Sequence, residues 1–213
     1  MQCGATRGAV PALLLLLLCA PSLLARQNGT DELEQQGDTV VAWLVLGSTE
    51  GHGPVRWGPQ AFCSPGSYAV AFRLKLEPIM FHGGFTALNG VKLYCIEREK
   101  GRRDHNITST LGYWGLWGDV FTCASGLLAG VRMRVEQPWV DERDKFAANN
   151  LAMECENGER MTGDGTDRGR WGEWQRCPQG SAICGLATQV KQPQHIFDDD
   201  ASLVSAAFYC CSV

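Results

Sequence analysis

One spacing constrains this chain more than any other. A Trp-Gly pair stands six and five residues ahead of a cysteine three times over, as Trp57-Gly58 before Cys63, Trp117-Gly118 before Cys123, and Trp171-Gly172 before Cys177. In the first two units a second cysteine, Cys95 or Cys155, follows 32 positions later. The third unit ends on the adjacent pair Cys210-Cys211, 33 and 34 positions after Cys177. The repeat units run approximately over 57–95, 114–155 and 171–211. A unit this short cannot bury an apolar face alone, so three of them must share one core.

Within each unit the pattern is that of a strand with one buried face. Val70, Phe72, Leu74 and Leu76 alternate with Arg73, Lys75 and Glu77, and Val131, Met133 and Val135 alternate with Arg132, Arg134 and Glu136. Leu186, Thr188 and Val190 repeat the phase in the third unit, and Pro78 and Pro193 stop their strands. Thr39 to Leu46 is a further strand, rich in β-branched and aromatic residues. No apolar period of 3.6 residues runs long enough for a helix. The segments Glu97–Thr110 and Asn157–Gly169, rich in charge and glycine, read as surface loops. The expectation is a single all-β domain over 39–213, closed about a pseudo-threefold axis.

The N-terminus has a different character. Arg7 precedes the six leucines Leu13 to Leu18, and small residues follow at Cys19-Ala20 and Ala25, which is the pattern of a secretory signal over 1–25 cleaved after Ala20 or Ala25. Its apolar run is shorter than the roughly 20 residues a bilayer requires, so no membrane span is expected. Residues 26–38 are polar and read as a flexible arm. Eight of the ten cysteines lie beyond the leader, an even number suited to an oxidising compartment. The sequons Asn28-Gly29-Thr30 and Asn106-Ile107-Thr108 add two glycosylation candidates, Asn28 and Asn106. The net charge of -4 is not that of a nucleic-acid binder. The protein is expected to be secreted and extracellular.

The repeat points to bridges Cys63–Cys95 and Cys123–Cys155, leaving Cys177 and Cys184 to take Cys210 and Cys211 in either order. His52, His82, His105 and His195 are scattered and no zinc-ligand spacing occurs, so neither metal nor cofactor is expected.

With the repeat laid out, the chain resembles the vitelline membrane outer layer protein 1 family. The residues carrying the likeness are Trp57-Gly58…Cys63 with Thr86-Ala87-Leu88-Asn89-Gly90-Val91-Lys92-Leu93-Tyr94-Cys95, and Trp117-Gly118-Asp119…Cys123 with Ala147-Ala148-Asn149-Asn150…Cys155. Trp171-Gly172-Glu173-Trp174…Cys177-Pro178…Cys184-Gly185-Leu186 and Asp199-Asp200…Tyr209-Cys210-Cys211 complete it. The resemblance implies a β-prism of three Greek-key sheets and a role in an extracellular coat such as that of the egg. It further implies an affinity for coat glycoproteins or carbohydrate, by analogy with lectins of that fold. The corner that family units share varies here. It is Gly84-Phe85-Thr86 in the first unit and Asp144-Lys145-Phe146 in the second, while Ala201 and Val204 replace the expected Thr and Asn in the third. Buried hydrogen bonds at the corner are therefore expected to differ between units.

Two other functions stand against the structural and binding role. A glycosidase or transferase on amino-sugar oligomers needs two carboxylates flanking the scissile bond, and its candidates are Asp144 with Asp198, Asp199 or Asp200. Glu77 and Glu136 recur but sit on the polar phase of their strands, where Lys191-Gln192 carries no acid in the third unit. A stand-alone lectin would use aromatic faces. Trp114, Trp139 and Trp174 lie outside the repeated slot and are the binding candidates, whereas Trp43, Trp57, Trp117 and Trp171 are expected in the core or packed at sheet ends. The balance of these readings is against an enzyme.

Overall fold

The computed structural model describes residues 34–35, 38–47, 55–77, 88–136, 147–191 and 203–213. In chain order the strands are β1 (Glu34–Gln35), β2 (Asp38–Gly47), β3 (Ala61–Phe62), β4 (Ser67–Leu76) and β5 (Leu88–Glu97). They continue with β6 (Arg102–Thr108), β7 (Leu116–Thr122), β8 (Leu128–Glu136), β9 (Ala147–Cys155) and β10 (Arg160–Thr162). Last come β11 (Arg170–Trp171), β12 (Gln175–Arg176), β13 (Ser181–Val190) and β14 (Leu203–Ser212). No helix occurs among the described residues.

Three antiparallel sheets form the walls of a β-prism. Wall I has the order β1-β2-β14-β13-β3, and wall II the order β6-β5-β4-β7. Wall III has β10-β9-β8-β11, with β12 also pairing β8. At the centre of each wall lies a long hairpin, β13–β14, β4–β5 or β8–β9. Residues read as an N-terminal arm contribute β1, which pairs Glu34 with Thr39 and Gln35 with Asp38 at the edge of wall I.

The three hairpins bury one common core. Phe72, Leu74, Val91 and Leu93 of wall II meet Leu128, Val131, Leu151 and Met153 of wall III and Ile183, Leu186, Leu203 and Phe208 of wall I, and all of these are fully buried. Each such side chain contributes about 1.5–3 kcal/mol relative to exposure. The core is reached through β-bulges at equivalent places. Val70, Ala129 and Cys184 are each the extra residue near the start of their strand, and Asn89, Asn149 and Val204 are the extra residues near the start of the return strand. A bulge shifts the side-chain phase by one. That is why Ala69 is fully buried and Val70 only partly, although Val70 shares the alternating phase of Phe72.

The sequence repeat and the walls are offset. The Trp-Gly strand of each unit pairs with the central hairpin of the preceding wall: Trp57 with Gln189, Trp117 with Lys75, and Trp171 with Arg134. The cysteine that follows donates its backbone N–H to the bulge carbonyl of that same wall, as Cys63 to Cys184 (2.8 Å), Cys123 to Val70 (3.0 Å) and Cys177 to Ala129 (2.8 Å). The disulfides Cys63–Cys95, Cys123–Cys155 and Cys177–Cys210 therefore each join one wall to the next, closing a ring of three staples. A fourth, Cys184–Cys211, links β13 to β14 within wall I. Adjacent residues of a strand face opposite sides. Cys210 accordingly lies in the central core, and Cys211 in a smaller cluster with Tyr68, Leu127, Ala187 and Tyr209.

Candidate functional site

The loops entering each Trp-Gly strand are held by side chains from matching positions. Lys75 donates from Nζ to the carbonyls of Gly112 (2.7 Å) and Tyr113 (3.1 Å), Arg134 from Nε to Gly169 (3.2 Å), and Gln189 from Nε2 to Val55 (3.0 Å). The bulge carbonyls help, since Asn89 O accepts from Gly112 N and Asn149 O from Thr166 N. The side chains at the bulge differ between walls. Asn149 reaches Glu136 and accepts from Thr166 Oγ1, whereas Val204 cannot, and Ser205 Oγ instead donates to the Leu46 carbonyl (2.8 Å).

Wall II uses this frame to present rings. Tyr113 and Trp114 stand edge to face, with centroids 4.8 Å apart, and are 73% and 43% exposed. Leu116 beside them is 73% exposed. The backbone beneath is fixed. Besides the Lys75 bonds, Gly115 sits at φ +92°, and a Cβ there would be 2.5 Å from the Leu76 carbonyl oxygen. Apolar surface left this open on a rigid support is a candidate contact face.

Wall III treats its rings in the opposite way. The Arg132 guanidinium lies 4.6 Å from the centroid of Trp171 and 4.8 Å from that of Trp174. Arg134 caps Trp171 at 5.7 Å, and Arg160 and Arg176 approach Trp174 at 5.1 and 5.7 Å. Glu154 anchors the last two, accepting from Arg160 Nε (2.6 Å) and from Arg176 Nε (2.6 Å) and Nη2 (3.0 Å). The Arg176 hydrogen bond, followed by that of Arg160, holds the Glu154 carboxyl below the usual carboxylate range. Among the described residues the counterpart in wall II is a single contact, Lys92 over Trp117 at 4.2 Å.

These contacts sort the sequence candidates. Trp114 is open, Trp174 is half-buried in a stack of guanidinium groups, and Trp139 lies outside the described residues. Two tryptophans assigned to packing are instead exposed: Trp43 by 62% and Trp57 by 44%. Trp57 does sit at a sheet end through its pairing with Gln189, but its ring is open. In β2 the inward phase is Ala42, Leu44 and Leu46, and Val41, Trp43 and Val45 point outward. The Tyr113–Trp114 pair as a unit was missed. Its only sequence signal was two aromatics followed by glycine.

Asp144, Asp198, Asp199 and Asp200 lie outside the described residues. A serine, a histidine and an aspartate do meet on wall II, but not as a catalytic relay. His105 Nδ1 faces both Asp104 Oδ2 (2.5 Å) and Ser64 Oγ (3.4 Å), whereas a relay uses the two ring nitrogens separately. Asp104 and His105 border a broad groove of about 830 Å³ that Tyr94, Ile96 and Asn106 also line, with exposed Asn106 on edge strand β6.

Fold and surface together define a disulfide-stapled β-prism with aromatic side chains displayed on its outer faces. The family profile described as vitelline membrane outer layer protein I (VOMI) matches residues 44–213, and the chain belongs to that family. It is 35% identical over 214 residues to the vitelline membrane outer layer protein 1 homolog of Homo sapiens, covering 99% of both chains. The Mus musculus homolog is 34% identical over 162 residues, 73% of this chain and 79% of that one. Among solved structures, the V. cholerae biofilm matrix protein Bap1 aligns with a TM-score of 0.50 at 13% identity, over 83% of this chain and 24% of its own. A mannose-specific jacalin-related lectin from Morus nigra, solved with mannose, aligns with a TM-score of 0.49 at 13% identity over 84% of this chain and 99% of its own.

Proposed function

We propose that this protein is a secreted structural and binding component of an extracellular coat or secretion, and that it associates with coat glycoproteins through their carbohydrate. The observation that carries the binding half is the Tyr113–Trp114 pair, two rings held open on a backbone fixed by Lys75 and Gly115. A sugar ring presents a patch of C–H bonds that stacks on an aromatic face, and a rigid face loses little entropy on binding. Three staples that join the walls in a ring suit a protein that must keep its shape outside the cell. The leader-like N-terminus supports export, and the family name places relatives in a vitelline membrane layer. Wall III, with its rings covered, serves stability in this reading, and a glycan on Asn106 would stand in the groove of wall II, leaving the Tyr113–Trp114 pair as the contact face.

The test is solid-phase binding of the purified mature chain to isolated egg-coat glycoproteins, before and after enzymatic removal of their glycans. Binding that falls on deglycosylation is the expected result. Equal binding to both preparations would move the contact to protein surface, and no binding to either would contradict the proposal.

A further inference from the structure

Two tryptophan pairs in this chain share a spacing that the fold does not require. Trp114 is followed three residues on by Trp117, and Trp171 by Trp174, while the first unit has Trp57 followed by Gln60. A tryptophan with a second tryptophan three positions later is the acceptor pattern for C-mannosylation in the lumen of the secretory pathway. We propose that Trp171 and Trp114 are C-mannosylated and that Trp57 is not, an inference that rests on the export reading above.

In the chemistry, the electron-rich C2 of the indole attacks the anomeric carbon of a polyprenyl-phosphate mannose. A C–C bond forms at C2, the anomeric C–O bond to phosphate breaks, C2 loses its proton, and the polyprenyl phosphate leaves with the electron pair. No oxidant or reductant is involved. Both acceptors suit this chemistry, because neither ring belongs to a buried core cluster and Trp114 is 43% exposed. In wall III the guanidinium groups of Arg132 and Arg134 lie over the Trp171 ring, whereas the new bond forms at C2, on its edge.

A second observation points to the same place. Arg132 Nε is buried and has no hydrogen-bond partner among the described residues, although buried N–H groups nearly always find one. Its guanidinium lies over the rings of both Trp171 and Trp174. A hexose on Trp171 brings hydroxyl acceptors to the side of that guanidinium and would complete its shell.

The test is peptide mass spectrometry on the full chain expressed in secretory cells, with protein taken from both the medium and the cells. The expected result in secreted protein is one hexose on the Trp171 peptide and one on the Trp114 peptide, giving cross-ring losses rather than loss of the whole sugar on fragmentation, with Trp57 unmodified. Trp174→Ala should remove the hexose from Trp171 and leave that on Trp114, and Gln60→Trp should create one on Trp57. Secreted protein with unmodified Trp114 and Trp171, or with a hexose pattern indifferent to these substitutions, overturns the inference alone. Protein found only inside the cell and unglycosylated at Asn28 and Asn106 overturns the export reading and this inference with it.

Discussion

Walls II and III are built from the same repeat, yet they handle tryptophan in opposite ways. Lys75 and Arg134 occupy matching positions and both hold the incoming loop by its carbonyls. In wall III, however, Arg132, Arg134, Arg160 and Arg176 converge on two indoles, whereas in wall II one lysine covers one indole and Tyr113 and Trp114 stay open. The backbone frame is common property of the repeat, and the side chains of neighbouring strands decide whether a ring serves stability or contact.

The largest expected effect tests what the two walls share. Replacing Cys123 and Cys155 together by serine removes the staple joining wall II to wall III and should cost about 2–5 kcal/mol in denaturant unfolding. Next come the matched glycines. Gly115 (φ +92°) and Gly169 (φ +82°) both lie in the left-handed region with a carbonyl oxygen against the missing Cβ. Gly115→Ala and Gly169→Ala should therefore each cost about 2–3 kcal/mol, and a large difference between them would break the equivalence of the frames.

The next effect separates the walls. Arg132→Ala should cost about 1–2 kcal/mol and shift tryptophan fluorescence, and Lys92→Ala only about 0.5–1 kcal/mol. The contrast extends to pH. Because the folded-state pKa of Glu154 lies below the ordinary value, its contribution is present above the unfolded pKa of about 4.3 and lost as pH falls through the folded value. Acid titration followed by fluorescence should show the wall III stack loosening only below the usual carboxylate range in the unaltered protein, and Glu154→Gln should abolish that step. Smallest in stability is Tyr113→Ser, which should change unfolding by no more than about 0.5 kcal/mol.

Much of the frame was legible in the sequence because it rests on short-range pattern. The 32-position spacing of Cys63–Cys95 and Cys123–Cys155 coincides with two of the bonds, and alternation locates Phe72, Leu74, Val131, Met133 and Leu186 in the core. The family likeness extends this to the β-prism as a whole. What the pattern did not carry is long-range. β2 is apolar in both phases, so nothing in Thr39 to Leu46 says that Trp43 faces out and Leu44 in. Gly130 and Gly185 follow the bulges at Ala129 and Cys184, but the bulge at Val70 lies between two alanines and shifts the phase with no glycine or proline beside it. The order of the last two bridges follows from Cys210 and Cys211 facing opposite sides of β14, which only a settled register reveals. Trp174 looked free because two of the three guanidinium groups covering it come from β8 and β10, and only Arg176, on β12, is its near neighbour in sequence.

The division between a wall that displays its rings and a wall that covers them is tested most directly on an array of N-linked glycoprotein glycans, probed with the unaltered chain, Trp114→Ala and Arg132→Ala. The expected result is a signal that Trp114→Ala abolishes and Arg132→Ala retains in the same pattern. A signal that survives Trp114→Ala but is lost with Arg132→Ala, or no signal from the unaltered chain, would contradict it.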